Sequence, residues 1–477
     1  MIDIRAKAHD KYSIEFKIKF IGAKKEQKSQ FAINTWIFIP NSLDINQETY
    51  GKQDFLHDVK SNVRLSTPDF TLEELAQPDN GPIKMLRQSI DKLHAVAPEV
   101  MLQSNEYKDY EFRTKLFASI FKSSIRNRWN ELEQNTPSEN QIAFLFADPI
   151  KQILTQFRSI YSTIPSTAEN PFLLADEFQN HLANIYSIRL LSLVENSPTL
   201  TRLILDEEQY KRQQEYLDLD YSGRLPEQNS NVVERHGLLK KYIGNSLYLK
   251  CETEKDGKAV EQLWFGIAAG MAMIISTLIA LPFQHYWSNY PAFIFVILVI
   301  AYMFKDRTKE YMRQIFSNQL KNRYFDNKTT LRLNDRQVGW IKESVDFVSL
   351  SKVPQQVLSE RQPSAIEIAN MEWDERIILY RKRVFVNNPT LHQSEVYSYE
   401  GINDIIRIHL QHFTQKMDDP VVDLRNMVSD GSIIALPAQK IYHLHLVLQC
   451  QADDIIEYHH FNIRLTRDGI VSVESHS

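Results

Sequence analysis

The chain has 477 residues, a formal net charge of −5 and 24% charged residues. This length allows two or three domains, and the charge balance excludes the basic excess of a nucleic-acid-binding protein, so we expect no nucleic-acid partner. The only cysteines are Cys251 and Cys450, which fits a reducing compartment.

The N-terminal region combines a strand pattern with a longer helical pattern. Charges interrupt its first thirty residues every few positions, so no signal peptide is expected and the N-terminus should stay in the cytoplasm. Ser13–Ile21 and Phe31–Ile39 alternate apolar and polar residues, which predicts a β-hairpin over 12–39. Helical spacing then predicts a bundle, and together these elements form a cytoplasmic region over 1–255. The helices are expected near 83–103, 107–133, 149–163, 171–196, 205–217 and 230–250.

An uncharged segment over 262–304 predicts a transmembrane helical hairpin, because it contains no Asp, Glu, Lys or Arg. As a helix, 263–283 would be about 31 Å long, close to the roughly 30 Å of a bilayer's hydrocarbon core. The second helix, 286–304, would measure about 28 Å. The connection between Pro282 and Pro291 is short and uncharged. A buried helical hairpin in a soluble protein is the alternative interpretation.

Flanking residues predict the orientation of this hairpin. Trp264 and Phe265 are expected at the same membrane interface as Tyr302 and Phe304. Basic residues flank both helices and are absent from the turn, so the positive-inside rule places both termini in the cytoplasm. The chain would then be a multi-pass protein of the cell's inner (plasma) membrane. The flanking basic residues are Lys250, Lys255, Lys258, Lys305, Arg307, Lys309 and Arg313.

Small residues follow the first predicted helix at helical spacing and allow close approach of another helix. They can pack against the second helix of the same hairpin, or they can mediate self-association between chains. The residues predicted for helix packing are Gly266, Ala268, Gly270, Ala272, Ser276 and Ala280.

The segment after the hairpin predicts one amphipathic helix and then a β-rich domain. The juxtamembrane helix over 305–325 would lie along the inner leaflet or form a stalk. Residues 330–477 are strand-like and predict an antiparallel sandwich or barrel, to which the N-terminal strands could contribute. The clearest strands are Arg376–Val386, Ile405–Phe413, Lys440–Cys450, Asp454–Thr466 and Ile470–Glu474.

Histidines are concentrated in these last strands. His443 and His445 share one face of a strand, and with His409 on a neighbouring strand they have the residue types of an open three-imidazole zinc site. A polar outer sheet face has the same composition. No GxxxxGK[ST] or GxGxxG phosphate-binding pattern and no local signature of a catalytic triad occurs in the chain.

The predicted fold is therefore an α+β membrane-anchored protein with a two-helix transmembrane hairpin between soluble regions. Its leading function is that of a non-enzymatic cytoplasmic scaffold or sensor that contacts the lipid bilayer and binds a protein partner or itself. One alternative is a zinc-dependent enzyme that uses the histidine cluster. Another is a pore-forming oligomeric effector whose hairpins assemble through their small residues.

Overall fold

The computed structural model describes residues 2–476 except for short segments, and it divides the chain into two compact units. Unit 1 contains 1–63, 249–390 and 403–477, and unit 2 contains 64–248 and 391–402. The segments outside the description are 23–26, 79–80, 135–136, 195, 218–225, 287–290, 322–323, 334–335, 363–374, 393–398, 400 and 428–430, besides both terminal residues.

The described strands belong to antiparallel sheets, and mixed helix and sheet is confirmed as the fold class. The strands are β1 (Ile2–Ala8), β2 (Ser13–Ile21), β3 (Lys28–Pro40), β4 (Val59–Leu65), β5 (Lys250–Lys255), β6 (Asn327–Leu333), β7 (Arg336–Val348), β8 (Glu375–Asn387), β9 (Gly401–His409), β10 (Val421–Met427), β11 (Ile433–Gln439), β12 (Tyr442–Ala452), β13 (Ile455–Thr466) and β14 (Gly469–His476).

Unit 1 is built on an eight-stranded sheet of order β14-β13-β12-β3-β8-β7-β6-β5 and a four-stranded sheet of order β1-β2-β9-β4. The predicted hairpin over 12–39 is wrong, because β2 and β3 lie in different sheets instead of pairing with each other. β3 pairs with both β8 and β12, so an N-terminal strand lies in the middle of the sheet formed by the C-terminal region.

Side chains of the two sheets meet in a shared core. Alternate positions of β2 are fully buried, as the period-2 pattern predicts for a strand with one apolar face. Phe16 of the smaller sheet lies 5.6 Å from Phe461 of the larger sheet, and Phe20 lies 5.2 Å from Phe31, both between ring centroids. The short helices of this unit are α1 (Lys52–Asp58), α12 (Gln355–Arg361), α13 (Asn388–His392) and α14 (Gln411–Thr414).

Two long helices, α10 (Lys258–Tyr286) and α11 (Pro291–Lys321), are inserted between the neighbouring strands β5 and β6. Lys255 and Asn327, the last and first residues of these strands, pair directly in the ladder. The carboxylate of Asp256 forms an ion pair with Lys342 (3.0 Å) and accepts a hydrogen bond from the backbone amide of Phe325 (3.2 Å). Main-chain pairing and this buried carboxylate therefore hold both ends of the insertion together.

Unit 2 contains the helices that the sequence predicts between the two strand regions. They are α2 (Leu72–Leu75), α3 (Pro82–Leu93), α4 (Asn105–Gln134), α5 (Glu139–Ile142), α6 (Asp148–Ser159), α7 (Glu169–Val194), α8 (Pro198–Gln213) and α9 (Pro226–Gly244). Helices α4 and α7 pack together, with α3 and α9 against α4 and α8 against α7.

A polar cluster links three helix regions inside unit 2. The guanidinium of Arg158 donates two hydrogen bonds to Glu207 (3.0 and 2.7 Å) and one to Asp176 (3.0 Å). The hydroxyls of Tyr210 and Tyr216 donate to the second oxygen of Asp176, at 2.7 and 2.9 Å. Each buried charge thus has an oppositely charged or hydrogen-bonding partner, as burial requires.

Two histidines stack nearby, on α7 and α9. The ring centroids of His181 and His236 are 3.3 Å apart. Burial, the neighbouring His236 and Lys211 lower the pKa of His181 to about 3, and burial also lowers the pKa of His236. Both imidazoles are consequently neutral in the folded protein at pH 7.

The histidine pair predicts acid-sensitive folding of unit 2. Because the folded pKa lies below the unfolded value of about 6.5, the unfolded chain binds more protons once the pH falls below that value. We expect stability to be complete above pH 6.5 and to fall towards pH 5, by at most about 1.4 kcal/mol per pH unit for His181. Thermal unfolding between pH 7.5 and 5 would measure this. His181→Leu should weaken the pH dependence, whereas His57→Leu, at an exposed position, should leave it unchanged; equal slopes in both variants would contradict the assignment.

Candidate functional site

Exposed apolar side chains cover the outer surfaces of α10 and α11. Within the described residues, one segment, Lys258–Ile279, is long and apolar enough to cross a membrane by length and composition, and little of it is buried. The structure therefore shows one candidate membrane-spanning helix, and it does not show the predicted two-helix transmembrane hairpin. Residues 287–290 and the side chain of Ala280 lie outside the description. The exposed apolar residues include Leu263, Ile267, Met273, Ile274, Leu278, Leu281, Phe295, Leu298, Ile300 and Met303.

Two contacts define how α10 and α11 pack. The hydroxyl of Ser276 donates to the backbone carbonyl of Ala301 at 3.0 Å. Nearer the sheet, the ring centroids of Trp264 and Phe316 are 4.8 Å apart. The helices are therefore antiparallel. Residues of α10 and α11 that lie at the same height along the helix pair have numbers that add up to about 578.

The aromatic residues do not mark one interface as the sequence predicted. Phe265 lies under the guanidinium of Arg313, which is 4.5 Å from its ring centroid. Tyr302 is eleven residues from Arg313 along α11, or about 17 Å of helix. The prediction that Trp264 and Phe265 lie level with Tyr302 and Phe304 is wrong. The start of the apolar segment of α10 packs beside the charged part of α11 instead of beside the end of its apolar segment.

The predicted small residues divide between two faces of α10. Ala268 and Ala272 are fully buried, and with Ser276 they belong to the face that packs on α11. A Cβ atom added to Gly266 or Gly270 would meet no atom within 4 Å. The alanine positions thus serve packing within the pair of helices, and the two glycines face open space.

Matched substitutions should separate these two faces. Ala272→Ile would force a larger side chain into a filled contact and should lower the thermal unfolding midpoint of the protein, at a cost of about 1–3 kcal/mol. Gly270→Ile, on the open face, should fold with a midpoint no lower than that of the wild type. A larger loss for Gly270→Ile than for Ala272→Ile would contradict the assigned faces.

The predicted histidines are brought together only in part. His443 and His445 share one face of β12, with ring centroids 6.1 Å apart. Nδ1 of His445 lies 3.1 Å from Nε2 of His460, on the neighbouring strand β13, so one ring donates and the other accepts. Nδ1 of His443 lies 3.2 Å from the side-chain oxygen of Asn462. Among the described histidines of β12 and β13, His445 and His460 are therefore in direct contact.

His409 lies in the other sheet, at the end of β9. Its two ring nitrogens are each 3.0 Å from a partner, one from the hydroxyl of Ser13 and one from the side-chain oxygen of Gln411. Within the described part of the chain, no group of three His, Cys, Asp or Glu residues is arranged to hold a metal ion. His409, His443 and His445 therefore do not converge as the three-imidazole zinc site that the sequence suggested.

A buried ionic cluster between the two sheets was not anticipated from the sequence. The ammonium of Lys382 on β8 contacts Asp404 on β9, and it lies 3.1 Å from Glu343 on β7. The hydroxyl of Ser61 on β4 donates to Asp404 at 2.6 Å, and that of Tyr380 donates to Glu343. The side chains of Lys382 and Asp404 are 1% and 0% exposed. The cluster joins both sheets of unit 1.

The protonation states of this cluster follow from its contacts. Burial alone would lower the pKa of Lys382, but Asp404 and Glu343 outweigh burial and raise it. Burial alone would raise the pKa of Glu343, but Lys382 and Tyr380 hold it below its ordinary value. Burial and Glu343 raise the pKa of Tyr380. At neutral pH Lys382 is therefore a cation, Glu343 an anion and Tyr380 a neutral donor, which suits a structural cross-link better than proton transfer.

Removal of the cation should strongly destabilise unit 1. Lys382→Met leaves buried carboxylates without their cation, and breaking such a pair typically costs about 3–5 kcal/mol. Denaturant unfolding would measure the loss. Arg383→Met, at the exposed next position of the same strand, should cost far less. A loss in Lys382→Met no larger than in this control would show that the cluster contributes little.

A two-stranded ribbon, formed by β10 and β11, is exposed at every position except Ala438, which is half-buried. On one of its faces Val422 pairs with Ala438 and Leu424 with Leu436. Leu424 and Leu436 are 59% and 60% exposed. An isolated two-stranded ribbon is at best marginally stable in water, and exposed contiguous apolar surface commonly marks an interaction site.

Exposed apolar helices, a histidine pair, a buried ionic cluster and an exposed ribbon are thus the features from which function can be inferred. Comparisons with protein-family models, with curated proteins and with solved structures gave no match for this chain.

Proposed function

We propose that this protein is a membrane-anchored cytoplasmic scaffold or sensor that binds a protein partner. The observation that carries the anchor is the exposed apolar surface of α10 and α11, which extends to Leu281 on α10 and begins at Phe295 on α11. Such a surface is unfavourable in water and favourable in hydrocarbon, because burying apolar area releases about 25 cal/mol per Å². Insertion of α10 and α11 as a hairpin into the cell's inner (plasma) membrane would remove this apolar surface from water.

The strand ladder at the base of α10 and α11 supports one topology. Because Lys255 and Asn327 pair directly, both ends of the insertion start from the same edge of one folded sheet. If the hairpin tip enters the bilayer, all of unit 1 stays on the side from which it enters. Basic residues near the base then favour the cytoplasmic side, so both termini are cytoplasmic in this proposal.

The exposed ribbon supports the binding part of the proposal. Its apolar face, with Leu424 and Leu436, has no cover among the described residues of unit 1. A protein partner or a second copy of the chain would bury it. The exposed Gly266 and Gly270 provide a further surface at which copies can approach closely.

Membrane attachment can be tested by replacing the insertion with a turn. Because Lys255 pairs with Asn327, an Asn-Gly turn between them would close a two-residue β-hairpin and leave the ladder intact. The full-length chain should remain in the membrane pellet after alkaline carbonate washing, and the turn variant should move to the soluble fraction. A full-length chain that is soluble without detergent would refute the anchor.

The role of the ribbon can be tested in the full chain by placing charged residues on its apolar face. Leu424→Asp with Leu436→Asp should reduce chemical cross-linking of the chain to its partner, or to itself, at least fivefold in native membranes. Leu205→Asp, at an exposed position of unit 2, serves as the control and should cross-link like the wild type. Unchanged cross-linking of the ribbon variant would remove the ribbon from the proposed interface.

A further inference from the structure

We infer that only the tip-side half of the α10–α11 hairpin lies in the hydrocarbon of the bilayer, with its boundary near Met273 on α10 and Lys305 on α11. The base of the hairpin, formed by 258–272 and 305–321, then stands in the headgroup layer and the cytoplasm as a two-helix stalk. This inference rests on the proposed membrane anchor and specifies how deeply it inserts.

The packing register of the two helices carries the inference. Paired levels sum to about 578, so Lys305, the first charged residue of α11, lies level with Met273. Towards the tip from that level, both helices are uncharged over 273–286 and 291–304, which is 14 residues on each. At about 1.5 Å per residue this shared uncharged length is about 21 Å, shorter than the roughly 30 Å of an average hydrocarbon core.

Between the sheet and the level of Met273 and Lys305, only α10 has a continuous apolar surface. Exposed Leu263 and Ile267 continue the apolar surface of α10 there, but α11 runs beside them with charges of both signs. Because the helices are in contact, lipid cannot surround one without reaching the charges of the other. Placing these charges in hydrocarbon is unfavourable, and the acidic ones are too short to reach the interface. The charged residues of this part of α11 are Lys305, Asp306, Arg307, Lys309, Glu310, Arg313 and Lys321.

Aromatic contacts agree with this boundary. The ammonium of Lys305 lies 4.6 Å from the ring centroid of Tyr302, a combination of aromatic ring and basic residue that is typical of a membrane interface. Trp264, in contrast, packs on Phe316 at the base, where it holds the two helices together. The interface marker is therefore Tyr302 with Lys305, and Trp264 is part of the stalk.

Single cysteines at exposed positions of α10 test the boundary. The background is the full-length chain with Cys251→Ser and Cys450→Ser, in membranes whose cytoplasmic face is open to reagent. Ile267→Cys, Ile274→Cys and Leu278→Cys place the thiol at sites that are 40%, 60% and 65% exposed in the protein itself. Differences in labelling by a membrane-impermeant maleimide before and after denaturation in the detergent SDS therefore report cover by lipid.

We expect Ile267→Cys to label equally with and without detergent, and Ile274→Cys and Leu278→Cys to label at least tenfold less before detergent is added. Protection of all three would overturn the shallow boundary and return it to Leu263, while leaving the anchor intact. Full labelling of all three without detergent would instead refute the anchor, and the inference with it.

Discussion

Main-chain hydrogen bonding between β5 and β6 is the constraint on which the organisation of unit 1 depends. The ladder joins a strand that precedes the helical insertion to one that follows it, so the 64 residues of 258–321 can extend from the sheet without separating these two strands. The buried carboxylate of Asp256 and the left-handed backbone conformation of Gly257 stabilise the same junction between sheet and helices. A helical pair attached in this way is held by the fold at one end only.

Local patterns predicted the elements well, and their pairing poorly. Alternation in Ser13–Ile21 identified β2 and its buried face, because period 2 is a property of one strand. Strand partners depend on contacts between distant segments, so nothing in residues 12–39 indicated that β2 and β3 belong to different sheets. The helices of unit 2 were located by their spacing and breaks. The offset between α10 and α11 escaped prediction because apolar length does not determine packing register.

In the candidate sites, too, local placement was predictable from the sequence, whereas contacts between distant segments were not. His443 and His445 were placed correctly on one face, since they are two residues apart on a strand. The contact of His445 with His460, and the placement of His409 in the other sheet, depend on strand order. Lys382 lies in the basic run Arg381-Lys382-Arg383, which resembles a solvated strand face; only alternation with buried neighbours marks it as inward-facing. Its partner Asp404 belongs to another sheet, so their pairing was invisible to local analysis.

The central position of β3 has a consequence for biosynthesis. This strand is made early, but its neighbours β8 and β12 end at Asn387 and Ala452. Ribosomes add about 5–20 residues per second, so roughly 400 further residues take about 20–80 s. The apolar helices leave the ribosome during this interval, before the sheet can close. If the proposed membrane anchor is correct, targeting to the membrane acts on a nascent chain whose strands still lack their partners, and the sheet is completed beside the bilayer.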